Sequence, residues 1–507
     1  MYKRLLSVLL IIYLGLLLSC ELPKQEEQEK MKPNIVLFYV DDLGYGDLSS
    51  YGATAISTPN VDQLAAGGVR FTDGHCSAAT CTPSRYSLLT GNYAFRNNAA
   101  ILPGDAPLLI DTALQTLPKM LKSAGYRTAV VGKWHLGLGY GRIDWNQRIT
   151  PGANEIGFDY SFLIPATGDR VPAVFVEDGA VVNLDPEDPI EVSYSERIDP
   201  GPIGLEISDQ LKQKADVQHS QTVVNGISRI GYMTGGQSAR WVDEEIPFVL
   251  NDKAKDFIGT TNDEPFFLYY SFHDIHVPRV PNEQFQGLTG MGPRGDAIAQ
   301  MDWAVGDIIS NLKKKGLLEN TLIIFTSDNG PVLDDGYFDQ AVELVGDHDP
   351  SGGYKGGKYS AYEAGTRVPT IVYWQGKIQP MISDALVTQI DLLASLASLT
   401  GAHVGDGVVD SENYLQAWFG QDKNGRDELL EESFTLSLRS GEWKYIKPFE
   451  GQTPDWLANK DIAVGLSSTP QLYNLNSDKE EEVNLVSKQQ DLVNEMENTM
   501  NKIIQKK

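Results

Sequence analysis

Short, continuous runs of apolar residues recur along the chain, and each of them is followed by polar residues or glycine. The four clearest runs cover residues 35–40, 128–131, 266–272 and 322–325. Apolar runs of this length, bounded by turn residues, are typical of strands that are buried on both faces of a sheet. Their alternation with helical patterns over residues 33 to about 401 predicts an α/β fold, a mixed sheet with helices on both faces.

The end of the chain shows different patterns, which predict a small α+β subdomain. Residues 433–449 alternate between apolar and polar positions and turn at Ser440-Gly441, as a β-hairpin does. A closing helix is predicted from apolar residues at helical spacing, at Val493, Met496, Met500 and Ile503. We therefore expect a larger domain over residues 33–405 and a smaller one over residues 406–507.

The start of the chain predicts export. Two basic residues precede an apolar run over residues 5–19, which is typical of a secretory signal rather than a membrane-spanning helix. The run ends in Leu-Leu-Leu-Ser-Cys20, which resembles a bacterial lipobox, and a polar tether of residues 21–32 follows. We expect a lipoprotein signal peptide over residues 1–20 and a protein that is lipid-anchored through Cys20 in the bacterial periplasm or outer membrane. The alternative is an ordinary cleaved signal in which this cysteine has no role.

Composition and cysteine content narrow the classes of function. The chain of 507 residues carries a formal net charge of -26, which argues against nucleic-acid binding. An anionic substrate would therefore need positive charge concentrated in its site. Of the three cysteines, Cys76 and Cys81 remain once Cys20 is assigned to lipid. In an oxidising compartment these two could form a disulfide, an alternative to a dedicated chemical role for Cys81.

Acidic and amide side chains follow two of the predicted strands. Asp41 and Asp42 come directly after the first apolar run, and Asp328 and Asn329 come shortly after the fourth. In open α/β sheets, ligands bind at the carboxyl ends of the strands. Surface exposure would explain one acidic pair, but the four residues together offer the oxygen ligands that Ca²⁺ or Mg²⁺ prefers. The set requires no cysteine or histidine, which argues against zinc.

Basic side chains follow the other strands. Lys133 and His135 come after the second run, His273 and His276 after the third, and Lys358 lies in a glycine-rich loop. Each residue taken alone is consistent with an ordinary core or loop position. A cluster of lysine and histidine beside a hard cation, however, is typical of a site for a tetrahedral oxyanion ester.

The residues around Cys81 carry a more specific signal. Cys81-Thr82-Pro83-Ser84-Arg85, followed by Leu89-Thr90-Gly91, resembles the signature of the type I, formylglycine-dependent sulfatases of the alkaline phosphatase superfamily. Further landmarks of that family occur in the same order over residues 33–369, at Asp41-Asp42, Gly132-Lys133-Trp134-His135, His276-Val277-Pro278, Asp328-Asn329-Gly330 and Gly357-Lys358. Six ordered landmarks are far more specific than one short motif. One departure is Glu363-Ala364-Gly365, where the family commonly has a second glycine after the glutamate.

The resemblance implies an alkaline-phosphatase-like fold and a defined chemistry. In this family the cysteine of the motif, here Cys81, is oxidised to formylglycine (3-oxoalanine) by a formylglycine-generating maturation enzyme. One hydroxyl of the hydrated aldehyde attacks sulfur, and the other then loses its proton so that sulfate is expelled. The resemblance also implies one Ca²⁺ per chain, bound by the modified Cys81 and by Asp41, Asp42, Asp328 and Asn329.

Five further residues at matching positions are expected to bind the ester and transfer protons. Arg85 is expected to orient the diol, and Lys133 and Lys358 to neutralise sulfate oxygens. His135 is expected to take the proton in the elimination step, and His276 to protonate the leaving alcohol. The resemblance therefore implies hydrolysis of a sulfate ester.

Two loop segments between these landmarks, residues 166–194 and 219–241, are expected to form the mouth of the pocket. Candidates there for contacts with a sugar or an anion are Arg170, His219 and Arg240, and loop salt bridges are the alternative. His273 is interpreted as a pocket or supporting residue.

The two loop segments are similar to those of exo-acting bacterial carbohydrate sulfatases, including those acting on galactose or N-acetylgalactosamine sulfate. A sulfated carbohydrate is therefore the expected substrate, in polysaccharide or glycosaminoglycan degradation. The alternatives are an arylsulfatase of small esters, a phosphate or phosphonate monoester hydrolase, and an inactive glycan-binding lipoprotein.

Overall fold

A ten-stranded mixed sheet forms the centre of the protein. The computed structural model describes residues 32–260, 264–460 and 462–506. The predicted signal peptide, Cys20 and residues 21–31 of the tether lie outside the described residues. The strands in chain order are β1 (Asn34–Val40), β2 (Val69–Phe71), β3 (Gly74–His75), β4 (Arg127–Lys133), β5 (Tyr160–Ile164), β6 (Val176–Glu177), β7 (Ala180–Val181), β8 (Glu191–Ser193), β9 (Val223–Val224), β10 (Ile227–Ser228), β11 (Tyr232–Thr234), β12 (Phe266–Ser271), β13 (Thr321–Ser327), β14 (Thr370–Tyr373), β15 (Met381–Ser383), β16 (Val387–Thr388), β17 (Glu428–Glu432), β18 (Leu436–Ser440), β19 (Trp443–Ile446) and β20 (Gln471–Asn474).

The central strands run parallel and contain the four apolar runs of the sequence. The order across the sheet is β15-β2-β14-β13-β1-β12-β4-β5-β6-β7. Neighbours from β13 to β5 pair in parallel, whereas β14 pairs antiparallel with β13. The predicted runs lie in β1, β4, β12 and β13, so the prediction of a mixed sheet is confirmed.

Helices cover both faces of this sheet. They are α1 (Pro59–Gly67), α2 (Cys81–Thr90), α3 (Leu117–Ser123), α4 (Ile246–Thr260), α5 (Gly292–Lys314), α6 (Ala341–Leu344), α7 (Leu392–Thr400), α8 (Leu415–Trp418) and α9 (Gln490–Gln505). Every second residue of β1, starting at Ile35, packs with residues of α2, α3 and α7 in one hydrophobic core. The intervening residues, starting at Val36, pack with residues of α4 and α5 in a second core. Because successive side chains of a strand point to opposite faces, β1 is buried on both sides.

The end of the chain forms a four-stranded antiparallel sheet in the order β17-β18-β19-β20. β18 and β19 form the hairpin predicted about Ser440-Gly441. The predicted closing helix is α9, whose Val493, Met496 and Met500 pack against Leu430 and Tyr445 of the sheet. Residues 34–507 form one compact unit, and the domain boundary near residue 405 stays a prediction.

A buried ionic network joins this small sheet to the glycine-rich loop. Glu363, in that loop, is fully buried and pairs with Lys444 at 3.1 Å, with Arg367 at 2.9 Å and with Arg439. Lys444 also pairs with Glu431 at 2.7 Å. None of the helices in the described ranges has the length and apolarity needed to cross a membrane.

Candidate active site

The acidic residues predicted as metal ligands meet because of strand register. β1 ends at Val40 and β13 ends at Ser327, and these two residues are partners in the parallel pairing. The residues that follow them therefore lie side by side at the same sheet edge, and all four are fully buried, at Asp41, Asp42, Asp328 and Asn329.

Burial and the proximity of these carboxylates shift their pKa values. Burial and the neighbouring Asp328 raise the pKa of Asp41 well above its usual range. Burial also raises the pKa of Asp42, against the opposing effect of Lys358, whose Nζ lies 2.8 Å from a carboxylate oxygen of Asp42. Buried acids that repel one another are stabilised as anions only by nearby positive charge. Lys133, which pairs with Asp41, and Lys358 supply part of this positive charge.

Two buried oxygens in this group indicate where a cation would fit. Oδ1 of Asp41 and Oδ1 of Asn329 have no hydrogen-bond partner among the residues that the structure describes. The Nδ2 of Asn329 donates to Asp42 at 2.8 Å and to the Gly330 carbonyl at 2.9 Å, which fixes the amide and leaves its oxygen free. Buried oxygens without partners are costly, and carboxylate and amide oxygens are preferred ligands of Ca²⁺ and Mg²⁺. The residues present therefore fit a hard divalent cation.

Cys81 is the first residue of α2 and lies beside a neutral histidine. Its Sγ is 3.2 Å from Nδ1 of His135, whose Nε2 donates to the Leu102 carbonyl at 2.9 Å. Since Nε2 carries the proton, Nδ1 presents a lone pair toward Cys81. Burial and the Lys133 ammonium hold the pKa of His135 well below its ordinary value. Cys76 and Cys81 are both free, so the alternative of a disulfide between them is wrong.

Arg85 lies one helical turn after Cys81 and is completely buried. Its Nη2 and Nε donate to Asp328 at 2.7 and 3.0 Å, and its Nη1 donates to Ser271. The guanidinium therefore fixes a predicted metal ligand directly, while its expected role on the diol stays a prediction. Burial would raise the pKa of Asp328, but the positive charges of Arg85, Lys133 and Lys358 act against it, and the pKa is lowered.

A cavity of about 390 Å³ opens over this group of residues. Of the residues predicted from the sequence, those that line it are Cys81, His135, Arg170, His219, His276 and Lys358. Lys133 is buried against Asp41, and His273 is buried 3.8 Å from Asp274. Arg240 donates to the Gly235 carbonyl at 2.8 Å. The structure thus brings Arg170 and His219 to the cavity wall, but not Arg240 or His273.

His276 presents one ring nitrogen to this region. Its Nδ1 donates to the Val277 carbonyl at 2.7 Å, and its Nε2 lies 3.9 Å from Asp42. Burial and the ammonium groups of Lys358 and Lys133 lower its pKa well below the ordinary value. Nε2 must gain a proton before it can act as an acid, and an anionic sulfate beside it would favour that protonation.

Several cavity residues were not predicted from the sequence. Arg170 donates to Asp169 at 2.9 Å, and His219 lies 3.4 Å from the same carboxylate. On another part of the wall, Asp335 accepts from Lys358 at 2.9 Å and pairs with Lys460 at 3.2 Å. Further additions are Ala99, Ala100, Ile101, Gln218, Tyr359, Glu432, Ser433, Phe434 and Trp456. They come from separate segments, and no local pattern in the sequence marks them.

This arrangement defines a class of protein. A sheltered position for a nucleophile lies beside oxygen ligands for a cation and beside lysine and histidine, which suits hydrolysis of an oxyanion ester. The chain belongs to the Sulfatase family, whose model matches residues 33–164 and 210–402.

Comparisons with known proteins agree with this membership. The chain is 49% identical over 490 residues to an N-acetylgalactosamine-6-O-sulfatase of Bacteroides thetaiotaomicron. The aligned region covers 95% of this chain and 96% of the relative. It is 31% identical to arylsulfatase A of Homo sapiens, over 90% of this chain and 83% of that protein. A solved structure from work on the metabolism of multiple glycosaminoglycans by Bacteroides thetaiotaomicron matches with a TM-score of 0.91 and 49% identity, covering 93% of this chain and 99% of that one.

The protein is therefore an enzyme that hydrolyses sulfate esters, as the resemblance implied. Its fold is that of the alkaline-phosphatase-like enzymes, which confirms the expected architecture. Sulfatases of this family generally use a formylglycine and a divalent metal.

Proposed function

We propose that the enzyme removes the 6-O-sulfate of N-acetylgalactosamine at the non-reducing ends of glycosaminoglycan fragments. The observation that carries this proposal is the 49% identity to an N-acetylgalactosamine-6-O-sulfatase across 95% of the chain. The 490 aligned residues extend well beyond the landmarks of residues 33–369.

The wall of the cavity supports a carbohydrate rather than a small aryl ester. Two of its acidic residues, Asp169 and Asp335, can accept hydrogen bonds from hydroxyl groups. Trp456 lies in the same wall, with its ring centroid 5.1 Å from that of Tyr359, and offers an apolar surface to the face of a sugar. A cavity of about 390 Å³ is in the range of sites for single small ligands, which supports exo-action at a chain end.

Formylglycine at Cys81 would supply a hydrated aldehyde, whose hydroxyl is the nucleophile toward sulfur. His135 is suited to take up a proton there, because its Nδ1 lies 3.2 Å from Sγ of Cys81 and carries a lone pair. Every residue of α2 is buried, so we propose that the maturation enzyme reads the motif before the chain has folded.

We assign the cation as one Ca²⁺, bound by Asp41, Asp42, Asp328 and Asn329. When bound, it would supply positive charge to the oxygens of the sulfate group. The ammonium groups of Lys133 and Lys358, held against these carboxylates, add charge from the protein itself. His276 is proposed to protonate the leaving sugar oxygen.

Export and lipidation at Cys20 are supported by the sequence of residues 1–20 alone. Labelling of producing cells with an alkyne fatty acid should mark the wild-type protein and not Cys20→Ala. Equal labelling of both would contradict the assignment.

The substrate proposal is tested with purified protein and defined sulfated sugars. Sulfate release is measured by ion chromatography from the 4- and 6-sulfates of N-acetylgalactosamine, from galactose 6-sulfate and from 4-nitrophenyl sulfate. We expect N-acetylgalactosamine 6-sulfate to have the highest kcat/KM, and Cys81→Ala to be inactive on all four. A preference for 4-nitrophenyl sulfate, or no release from the 6-sulfate, would overturn the proposal.

A further inference from the structure

Thr82 lies between Cys81 and Pro83 in the family signature, and its side chain has no part in binding the cation or the ester. It is the second residue of α2 and is completely buried. Threonine hydroxyls in helices commonly donate to a carbonyl of the preceding turn, as that of Thr90 does. The hydroxyl of Thr82 instead leaves the helix and donates to the main-chain carbonyl of His135 at 3.0 Å, 53 residues further along the chain. The helix that carries Cys81 therefore also binds the backbone of the histidine beside it.

The backbone of His135 has a conformation that needs support. Its φ of 55° lies in the left-handed region, which residues with a Cβ atom seldom adopt and which persists only where the surroundings hold it. The His135 amide donates to the Pro165 carbonyl at 3.2 Å, and the carbonyl accepts from Thr82. The ring is fixed in turn by Nε2, which donates to the Leu102 carbonyl at 2.9 Å. Together these hydrogen bonds keep Nδ1 at 3.2 Å from Sγ of Cys81.

The position of Nδ1 matters for the release of sulfate. In that step the remaining hydroxyl proton passes to Nδ1, and the O–H electron pair forms the aldehyde carbonyl. The carbon–oxygen bond to sulfate breaks, and its electron pair stays on the sulfate. A base must lie within about 2.6–3.2 Å of the oxygen whose proton it takes. A small shift of the His135 backbone would therefore remove Nδ1 from this range.

We propose that Thr82 is a positioning residue for the expulsion of sulfate. Its hydroxyl holds the left-handed backbone of His135, and through it Nδ1, at a fixed distance from residue 81 on the same helix. This role rests on the proposed function of His135 as the base. It applies to every sulfate ester, because sulfate is expelled in the same way whichever alcohol has left. It also gives this position of the signature a function in the mature enzyme.

The test compares Thr82→Val, which removes the hydroxyl at nearly constant volume, with Thr82→Ser, which keeps it. Peptide mass spectrometry measures formylglycine at position 81 in each variant, and rates are expressed per matured chain. The ratio kcat/KM covers the steps up to departure of the alcohol, whereas kcat also includes the expulsion of sulfate. Misplacement of a catalytic group by about 1 Å can slow a step about 10²-fold.

We therefore expect kcat and KM of Thr82→Val to fall together by about 10- to 100-fold, at an unchanged kcat/KM, on each sulfate ester that the wild type hydrolyses. Thr82→Ser should restore both constants. Thr90→Val is the matched control, because it removes a buried hydroxyl from the same helix that donates to the Tyr86 carbonyl at 2.8 Å. It should leave kcat and KM unchanged.

Two kinetic results overturn the role of Thr82: a wild-type kcat in Thr82→Val, or a loss of kcat/KM as large as the loss of kcat. A wild-type kcat in His135→Gln overturns the proposed base itself, and the role of Thr82 with it. Both comparisons are independent of which sulfated sugar is the preferred substrate.

The position of His135 is also measured without turnover, in protein produced without the maturation enzyme and therefore with a thiol at Cys81. The chain has seven histidines, and NMR of isotope-labelled histidine reports on their ring nitrogens. The signals of His135 are those lost in His135→Gln. Thr82→Val should shift them, and Thr82→Ser should leave them close to their wild-type positions. Unshifted signals in Thr82→Val overturn the positioning role.

Discussion

Replacement of Glu363 by Gln tests how strongly the buried ionic network joins the small antiparallel sheet to the glycine-rich loop. The carboxylate is fully buried and faces three cations, Arg367, Lys444 and Arg439. Removing one partner of a buried ion pair typically costs about 3–5 kcal/mol, because the remaining charge stays buried. Lys444 keeps Glu431 as a second partner at 2.7 Å, so we expect the lower end, about 3 kcal/mol.

The assay is thermal unfolding of the full chain, with Glu206→Gln as the matched control. Glu206 pairs with Arg197 at 2.7 Å on the surface, where solvent screens the pair and its contribution to stability is small. For a chain of this length, about 3 kcal/mol corresponds to a fall in Tm of roughly 3 °C. An equal Tm loss in the two variants would refute the reasoning.

The pH dependence of the Glu363→Gln effect has a definite sign. Although burial alone would raise the pKa of Glu363, the cations around it, of which Arg439 and Lys444 act most strongly, lower the value. A carboxylate with a lowered pKa contributes stability above the pKa of the unfolded chain, and this contribution is lost as the pH falls through the folded value. The Tm difference between wild type and Glu363→Gln should therefore be full at pH 7 and shrink in acid. A difference that grows in acid would contradict this assignment of charge.

Three further predictions concern the active site. Asp42→Asn should lose bound calcium in metal analysis while Asp335→Asn keeps it; retention in both would exclude Asp42 as a ligand. His276→Gln should slow sugar-sulfate turnover by about 10²–10⁴-fold yet spare much of the turnover of 4-nitrophenyl sulfate, because nitrophenolate leaves without a proton donor more readily than a sugar alkoxide does. Equal losses on the two substrates would exclude the acid role. Glu432→Gln should gain Tm over wild type as the pH rises toward 8, since the raised pKa of Glu432 keeps this acid protonated in the folded protein while the unfolded chain ionises; a pH-independent gain would contradict this.

The sequence by itself determined the central strands and the chemistry at their ends. Buried apolar runs are local signals, and residues that follow parallel strands meet at one sheet edge. The pairing of Val40 with Ser327 brings Asp41 and Asp328 together as that reasoning predicted. The motif at Cys81 is contiguous, so its family signature could be recognised without a structure.

Only the tertiary structure decided which other residues form the cavity. From the sequence Asp169 is an ordinary loop acid and Glu432 is an acid just before the predicted hairpin, yet both line the cavity. Arg240, like Arg170, lies in a loop segment between the family landmarks, but packing directs its side chain to a loop carbonyl. The partner of a side chain depends on which distant segments pack together, as Arg85 and Asp328 do across 243 residues. Such contacts are set by sheet register and loop packing, for which a local pattern of residues carries no signal.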